Sequence, residues 1–137
     1  MADENPDGLD RFRRTYGLEE RTVLDEIEQE VIGVVFRANG YTTLDQAIEL
    51  GRRMELGPES LLLDIGTGCG WPALYLASVT GCRVVATDVP LEGLEHAVTR
   101  ARADGLGGRA GIVASAAQAL PFRGGSFDAI THTDVLC

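Results

Sequence analysis

The rhythm of hydrophobic and polar positions along the chain changes near residue 60. Before it, apolar residues recur at helical intervals. In TVLDEIEQEVIGVVFRANG, residues 22–40, Val23, Ile27, Val31 and Val34 or Val35 share one side. The spacing predicts a helix with Thr22 as N-cap, Asp25 three residues on, and Asn39-Gly40 as its stop. A second helix is predicted in TTLDQAIELGRRMEL. There Thr43 caps, Gln46 takes the reciprocal position, Leu44, Ala47, Ile48 and Met54 face inward, and Gly57-Pro58 ends the run. Residues 1–18 read as a loosely docked arm.

After residue 60 the apolar runs are short. LLLDI, CRVVATD, RAGIVAS and FDAITHT, beginning at Leu61, Cys82, Arg109 and Phe127, read as strands. WPALYLASV and LEGLEHAVTRARADG read as the helices between the first three, with Pro72 near the first turn of the former. In the latter Leu91, Leu94, Val98 and Ala101 form the inner stripe, and His96 lies opposite it. Glu92 and Glu95 stand early, Arg100 and Arg102 late, which suits the helix dipole, and Gly105 closes the helix. Strands alternating with helices predict right-handed crossovers and a parallel sheet.

Composition narrows the class. A chain of 137 residues, 45% apolar and 24% charged, suits one globular domain. No apolar run approaches the roughly 20 residues that cross a bilayer, and the acidic N-terminus is no secretory signal, so a cytoplasmic location is expected. Net charge is −9, and before residue 60 Asp and Glu outnumber Arg by 14 to 7. That surface repels phosphate backbones, and no nucleic-acid partner is expected. All basic residues are Arg, so Schiff-base chemistry is excluded. Cys69, Cys82 and Cys137 with His96 and His132 match no zinc spacing, and no metal is expected.

The chemistry concentrates in DIGTGCG. Asp64, Gly66, Gly68 and Gly70 follow the first strand, at the end of a parallel sheet where ligands bind. A dinucleotide would lay its pyrophosphate here, and GCGWPA does fit G-x-G-x-x-A. Asp64 opposes it: two unit charges about 4 Å apart, at an effective dielectric of about 20, interact by roughly 4 kcal/mol. S-adenosylmethionine has the opposite need, carrying an ammonium, a carboxylate and a sulfonium with net positive charge. A carboxylate at the pocket mouth, beside helix N–H groups, suits that ligand. Asp88 ends the second strand, where a carboxylate can accept both ribose hydroxyls of either cofactor.

LLLDIGTGCG, VVATDVP, AAQALPF and GGSFDAITHTDVL together resemble the successive motifs of class I S-adenosylmethionine-dependent methyltransferases. They are most similar to the small-molecule branch that includes ubiquinone and menaquinone biosynthesis enzymes. The resemblance covers about residues 42–137. It implies a Rossmann-like α/β fold, with a parallel sheet in the order 3-2-1-4 and helices on both faces. It divides the chain into an N-terminal arm and helix, 1–41, and a cofactor-binding domain, 42–137. It implies that Gly66, Thr67, Gly68 and Gly70 meet the methionine part of S-adenosylmethionine, with Asp64 close by. Asp88, with Val89 beside it, would hold the ribose. Ala116, Ala117 and Gln118 would approach the adenine, and Thr131 and His132 the reacting methyl. The family often carries an acid before L-P-F; Ala116 stands there in this chain.

Methyl transfer is an in-line displacement in which alignment supplies roughly 7 to 11 kcal/mol. His132 and Asp134 are the candidate bases for a small-molecule acceptor. Cys69, Trp71 and Tyr75 read as packing residues. The chain stops just after the fourth strand, where the family's sheet normally continues. The C-terminal half of the usual fold is therefore expected to be absent and the fourth strand to be a bare edge prone to self-association. Two other readings stay open: an NAD(P)-dependent oxidoreductase, and a non-catalytic cofactor-binding or interaction module.

Overall fold

A computed structural model describes residues 6–17 and 21–135. The elements are α1 (Pro6–Tyr16), α2 (Thr22–Val31), α3 (Leu44–Arg53), β1 (Leu61–Ile65), α4 (Ala73–Thr80), β2 (Arg83–Asp88), α5 (Leu91–Ala103), β3 (Ala110–Ala114) and β4 (Ala129–Thr131). A single 3-10 turn, Ala117–Ala119, stands between β3 and β4. The four strands are parallel, as the alternation of strands and helices predicts, and lie in the order β3-β2-β1-β4 that the family resemblance implies.

Two right-handed crossovers stepping the same way along the sheet put α4 and α5 on one face. The core lies there: Leu62 and Val84 from the sheet pack with Leu74, Leu76 and Ala97 from the helices. Asp128 aligns the outer strand, because its carboxylate accepts the Leu61 N–H at 2.7 Å while its own N–H donates to Leu61 O at 2.9 Å.

The expected caps and stripes fare unequally. The Thr43–Gln46 capping box of α3 forms as predicted. Its inner column, however, runs through Ala47 and Gly51, and Ile48 is half exposed. Gly51 lets α3 approach α4; a Cβ there would meet Leu76 at 2.9 Å. In α5 the buried positions are Gly93, Leu94, Ala97 and Ala101, whereas Leu91 is exposed.

Two corrections concern the N-terminal part. Among the described residues of the expected loose arm, Pro6–Tyr16 form a helix packed on α5, with Tyr16 buried. The next helix ends at Val31, nine residues short of the expected Asn39-Gly40 stop, and Arg21 rather than Thr22 holds its N-cap position. Its predicted apolar face is turned outward: Val23, Ile27 and Val31 are 66%, 52% and 57% exposed.

The buried residue of α2 is an acid, Glu28. Its Oε1 accepts the N–H groups of Phe36 and Ala38 at 2.9 and 2.7 Å, and its Oε2 accepts that of Arg37 at 3.1 Å. The buried Arg21 guanidinium lies 3.9 Å from the same carboxylate. Three amides that continued helix would have bonded internally are thus held by one side chain, and 32–40 becomes a strap. The Arg100 guanidinium stacks 4.1 Å from the Phe36 ring and donates to Val35 O at 2.7 Å, while Trp71 Nε1 donates to Thr42 O at 2.9 Å. These bonds press the strap onto α5 and the end of the glycine loop.

Candidate functional site

The carboxyl ends of β1 and β2 open on a cavity of about 470 Å³. The glycine loop forms one wall, Asp88, Val89 and Pro90 a second, and Ser115, Ala117 and Gln118 a third. The strap contributes Ala38, Asn39 and Gly40, and α1 contributes Leu9, Phe12 and Tyr16.

The loop turns because Gly66 and Gly68 adopt φ of +73° and +57°, where a side chain is strained. Nor is there space for one: a Cβ on Gly66 would strike Val135, and one on Gly68 would lie 2.6 Å from the Tyr16 hydroxyl. Gly70 serves packing, since a Cβ there would meet Leu74 at 2.5 Å. Four loop amides are engaged inside the protein. Those of Gly66 and Thr67 donate to Thr87 O at 2.8 and 2.9 Å, that of Gly68 to Asp88 Oδ2 at 2.7 Å, and that of Gly70 to Thr67 O at 2.9 Å. A pyrophosphate would need such amides turned outward.

Asp88 lines the cavity, half-buried, and also accepts the Val89 N–H at 2.8 Å. Burial raises its pKa, against the lowering effect of the amides it accepts. Asp64, expected at the mouth, is instead 1% exposed and does not line the cavity. The ladder explains this: Asp64 pairs with Thr131 across β1 and β4, and Thr131 Oγ1 donates to Asp64 Oδ1 at 2.7 Å. Burial pushes the Asp64 carboxyl up to about 7, with the hydroxyls of Thr131 and Thr67 opposing the rise. Asp64 Oδ2 and Thr67 Oγ1 are nevertheless buried with no partner at hydrogen-bond geometry among the described residues.

Of the sequence-predicted residues, Gly66, Thr67, Gly68, Asp88, Val89, Ala117 and Gln118 meet at the cavity. Gly70, Ala116, Asp64 and Thr131 do not line it, the last two lying buried behind the loop. His132 is exposed and away from the cavity. The strand alternation that buries Thr131 turns the next side chain outward. Asp134 does line the cavity, but its Oδ2 accepts the Thr42 hydroxyl at 2.7 Å and the Thr42 N–H at 3.1 Å. Cys69 fits its reading as a packing residue: it is buried, and its thiol is pushed up to about 12. Sequence reasoning missed Ser115, one residue before the predicted adenine segment, and the contribution of α1. His96, placed by the sequence opposite the inner stripe of α5, is half-buried, its Nε2 donating to Tyr16 O at 2.7 Å. With that proton so placed, the Arg37 guanidinium 3.3 Å away is a neighbour rather than a donor.

A family model described as "Methyltransferase domain" matches residues 62–137. Methyltransferase GfsG of Streptomyces halstedii is 37% identical over 95% of this chain and 51% of its own length. Sarcosine/dimethylglycine N-methyltransferase of Halorhodospira halochloris is 32% identical over 67% of this chain and 32% of its own. The chain thus spans about half the length of the first relative and about a third of the second. Among solved structures, a SAM-dependent methyltransferase from Thiobacillus denitrificans, in complex with S-adenosyl-L-homocysteine, superposes with a TM-score of 0.53. It is 20% identical, over 72% of this chain and 38% of that one, a likeness of fold.

Proposed function

The chain belongs to the methyltransferase domain family, and from that premise we propose that it binds S-adenosylmethionine for methyl transfer to a small-molecule acceptor. The observation that carries this reading is a strand-end acid, Asp88, facing a cavity whose neighbouring glycine loop has four of its amides turned inward. Such a wall offers little to a pyrophosphate and suits a nucleoside bearing an amino-acid tail.

The residues present fit that cofactor. Gly66 and Gly68 bring backbone without side chains to the cavity wall, and the Asp88 carboxylate and Ser115 add polar groups beside it. Asp88 would accept the two ribose hydroxyls while keeping the loop amide of Gly68. Ser115, Ala117 and Gln118 would border the adenine, and Thr67 with the glycines the methionine part. When bound, S-adenosylmethionine supplies a methyl group on a sulfonium. The protein's task is then to align the acceptor and keep water out. The strap and α1, both on the cavity wall, serve that exclusion. We read 42–137 as the cofactor-binding unit and 1–41 as an N-terminal extension whose α1 and strap line the cavity. The small-molecule acceptor is supported by the second relative, whose name gives a small amine as substrate.

Among the described residues no helix is long and apolar enough to cross a membrane. Titration calorimetry with S-adenosylhomocysteine and, separately, NADH tests the reading. Saturable heat from the first and none from the second is expected; heat from NADH alone overturns it.

A further inference from the structure

We propose that Tyr16 is a ligand-binding residue of the cavity, its hydroxyl donating to the carboxylate of the amino-acid tail that lies against the glycine loop. This inference rests on the cofactor reading above and adds a contact from outside the family-matched segment 62–137.

The ring is held firmly. Tyr16 is 5% exposed and stacks on Phe12 with centroids 6.3 Å apart, and its carbonyl accepts from His96 Nε2 on α5. Gly93, also on α5, makes room for it: a Cβ there would meet Tyr16 Cδ2 and Gly68 O, both at 3.0 Å. The ring is therefore wedged between α5 and the loop, and its hydroxyl sits over Gly68 on the cavity wall. That hydroxyl forms no hydrogen bond among the described residues.

A carboxylate entering beside the loop needs donors. The amides of Gly66, Thr67, Gly68 and Gly70 are already engaged, and the Asp88 carboxylate nearby adds negative charge. A neutral phenol supplies a proton without a buried charge. Burial and the Asp88 charge both raise the Tyr16 pKa, so the phenol stays protonated and serves as donor. The ammonium of the same tail could use the phenol oxygen only as an acceptor and has the charged Asp88 nearby as a stronger one, whereas the carboxylate can take the phenol proton. The carboxylate is thus the group the geometry selects.

The test is titration calorimetry on the full chain and its Tyr16→Phe variant, with two probes. One is S-adenosylhomocysteine; the other is its decarboxylated analogue, S-adenosyl-3-thiopropylamine. Phe keeps the ring, so circular dichroism should be unchanged. The variant is expected to bind S-adenosylhomocysteine about tenfold more weakly and the decarboxylated probe within twofold of the unaltered protein, the size of a lost bond to a charged group. Unchanged affinity for the first probe overturns the proposal. Equal weakening of both also overturns it, because Tyr16 would then only support the wall. If the unaltered protein binds neither probe, the cofactor reading itself falls, and this inference with it.

Discussion

The Gly68 N–H donates to Asp88 Oδ2 at 2.7 Å, so the acid that faces the cavity also fixes the loop beside it. One carboxylate thereby links the end of β2 to the turn after β1. Its other oxygen holds the Val89 N–H. Both jobs, and the proposed grip on a ribose, fall on the same two oxygens.

Replacing Asp88 separates those jobs. Asp88→Asn keeps a carbonyl oxygen for Gly68 and is expected to change stability by less than about 1 kcal/mol while weakening S-adenosylhomocysteine by about tenfold or more. Asp88→Ala is expected to lower both. Calorimetric titration and urea unfolding on the same samples check this; Asn affinity equal to that of the unaltered protein would contradict the ribose role.

Glu28→Ala should be among the most damaging single changes outside the apolar core. It leaves the Phe36, Arg37 and Ala38 amides without their acceptor and the buried Arg21 guanidinium with Asp25, 3.6 Å away, as its remaining carboxylate. A loss of about 3 to 5 kcal/mol in urea unfolding is expected. Glu28→Gln, which keeps one acceptor oxygen, should lie between.

The outward face of α2 predicts the reverse. Ile27→Ser and Val31→Ser, at exposed positions, are expected to move stability by no more than about 0.5 kcal/mol. Ile32→Ala, at a residue 4% exposed within the core, should cost about 2 to 4 kcal/mol. Chemical unfolding of the three variants decides between the observed face and the one the sequence pattern favours.

Asp64 should make stability depend on pH in the direction opposite to most carboxylates. Its folded pKa, about 7, lies above the ordinary value near 3.8, so the folded state holds the proton more tightly. The stabilisation is complete below about pH 4 and is lost as pH rises through about 7. At most about 4 kcal/mol is involved, from roughly three units at 1.36 kcal/mol each. Asp64→Asn is expected to remove this slope, since an amide oxygen can still accept the Thr131 hydroxyl. Urea midpoints of both proteins between pH 4 and 8 measure the difference, and parallel curves would count against a neutral buried Asp64.

What the sequence determined by itself was everything that short-range pattern controls. The strand and helix order from Leu61 onward, the Thr43–Gln46 cap, the glycine loop and the strand-end Asp88 depend on neighbours a few residues apart or on runs long enough to read. Tertiary structure decided the rest, because it turns on partners far along the chain. Glu28 lies inward because residues 36–38 return to it, and that reverses the face that apolar spacing alone assigns to α2. Asp64 leaves the cavity mouth because Thr131 on β4, 67 residues away, draws its carboxylate behind the loop. Tyr16 reaches the site because Gly93 and His96 on α5 give its ring a seat and its carbonyl a donor. No local period encodes any of these; each is a contact that exists only once the sheet has brought the elements together.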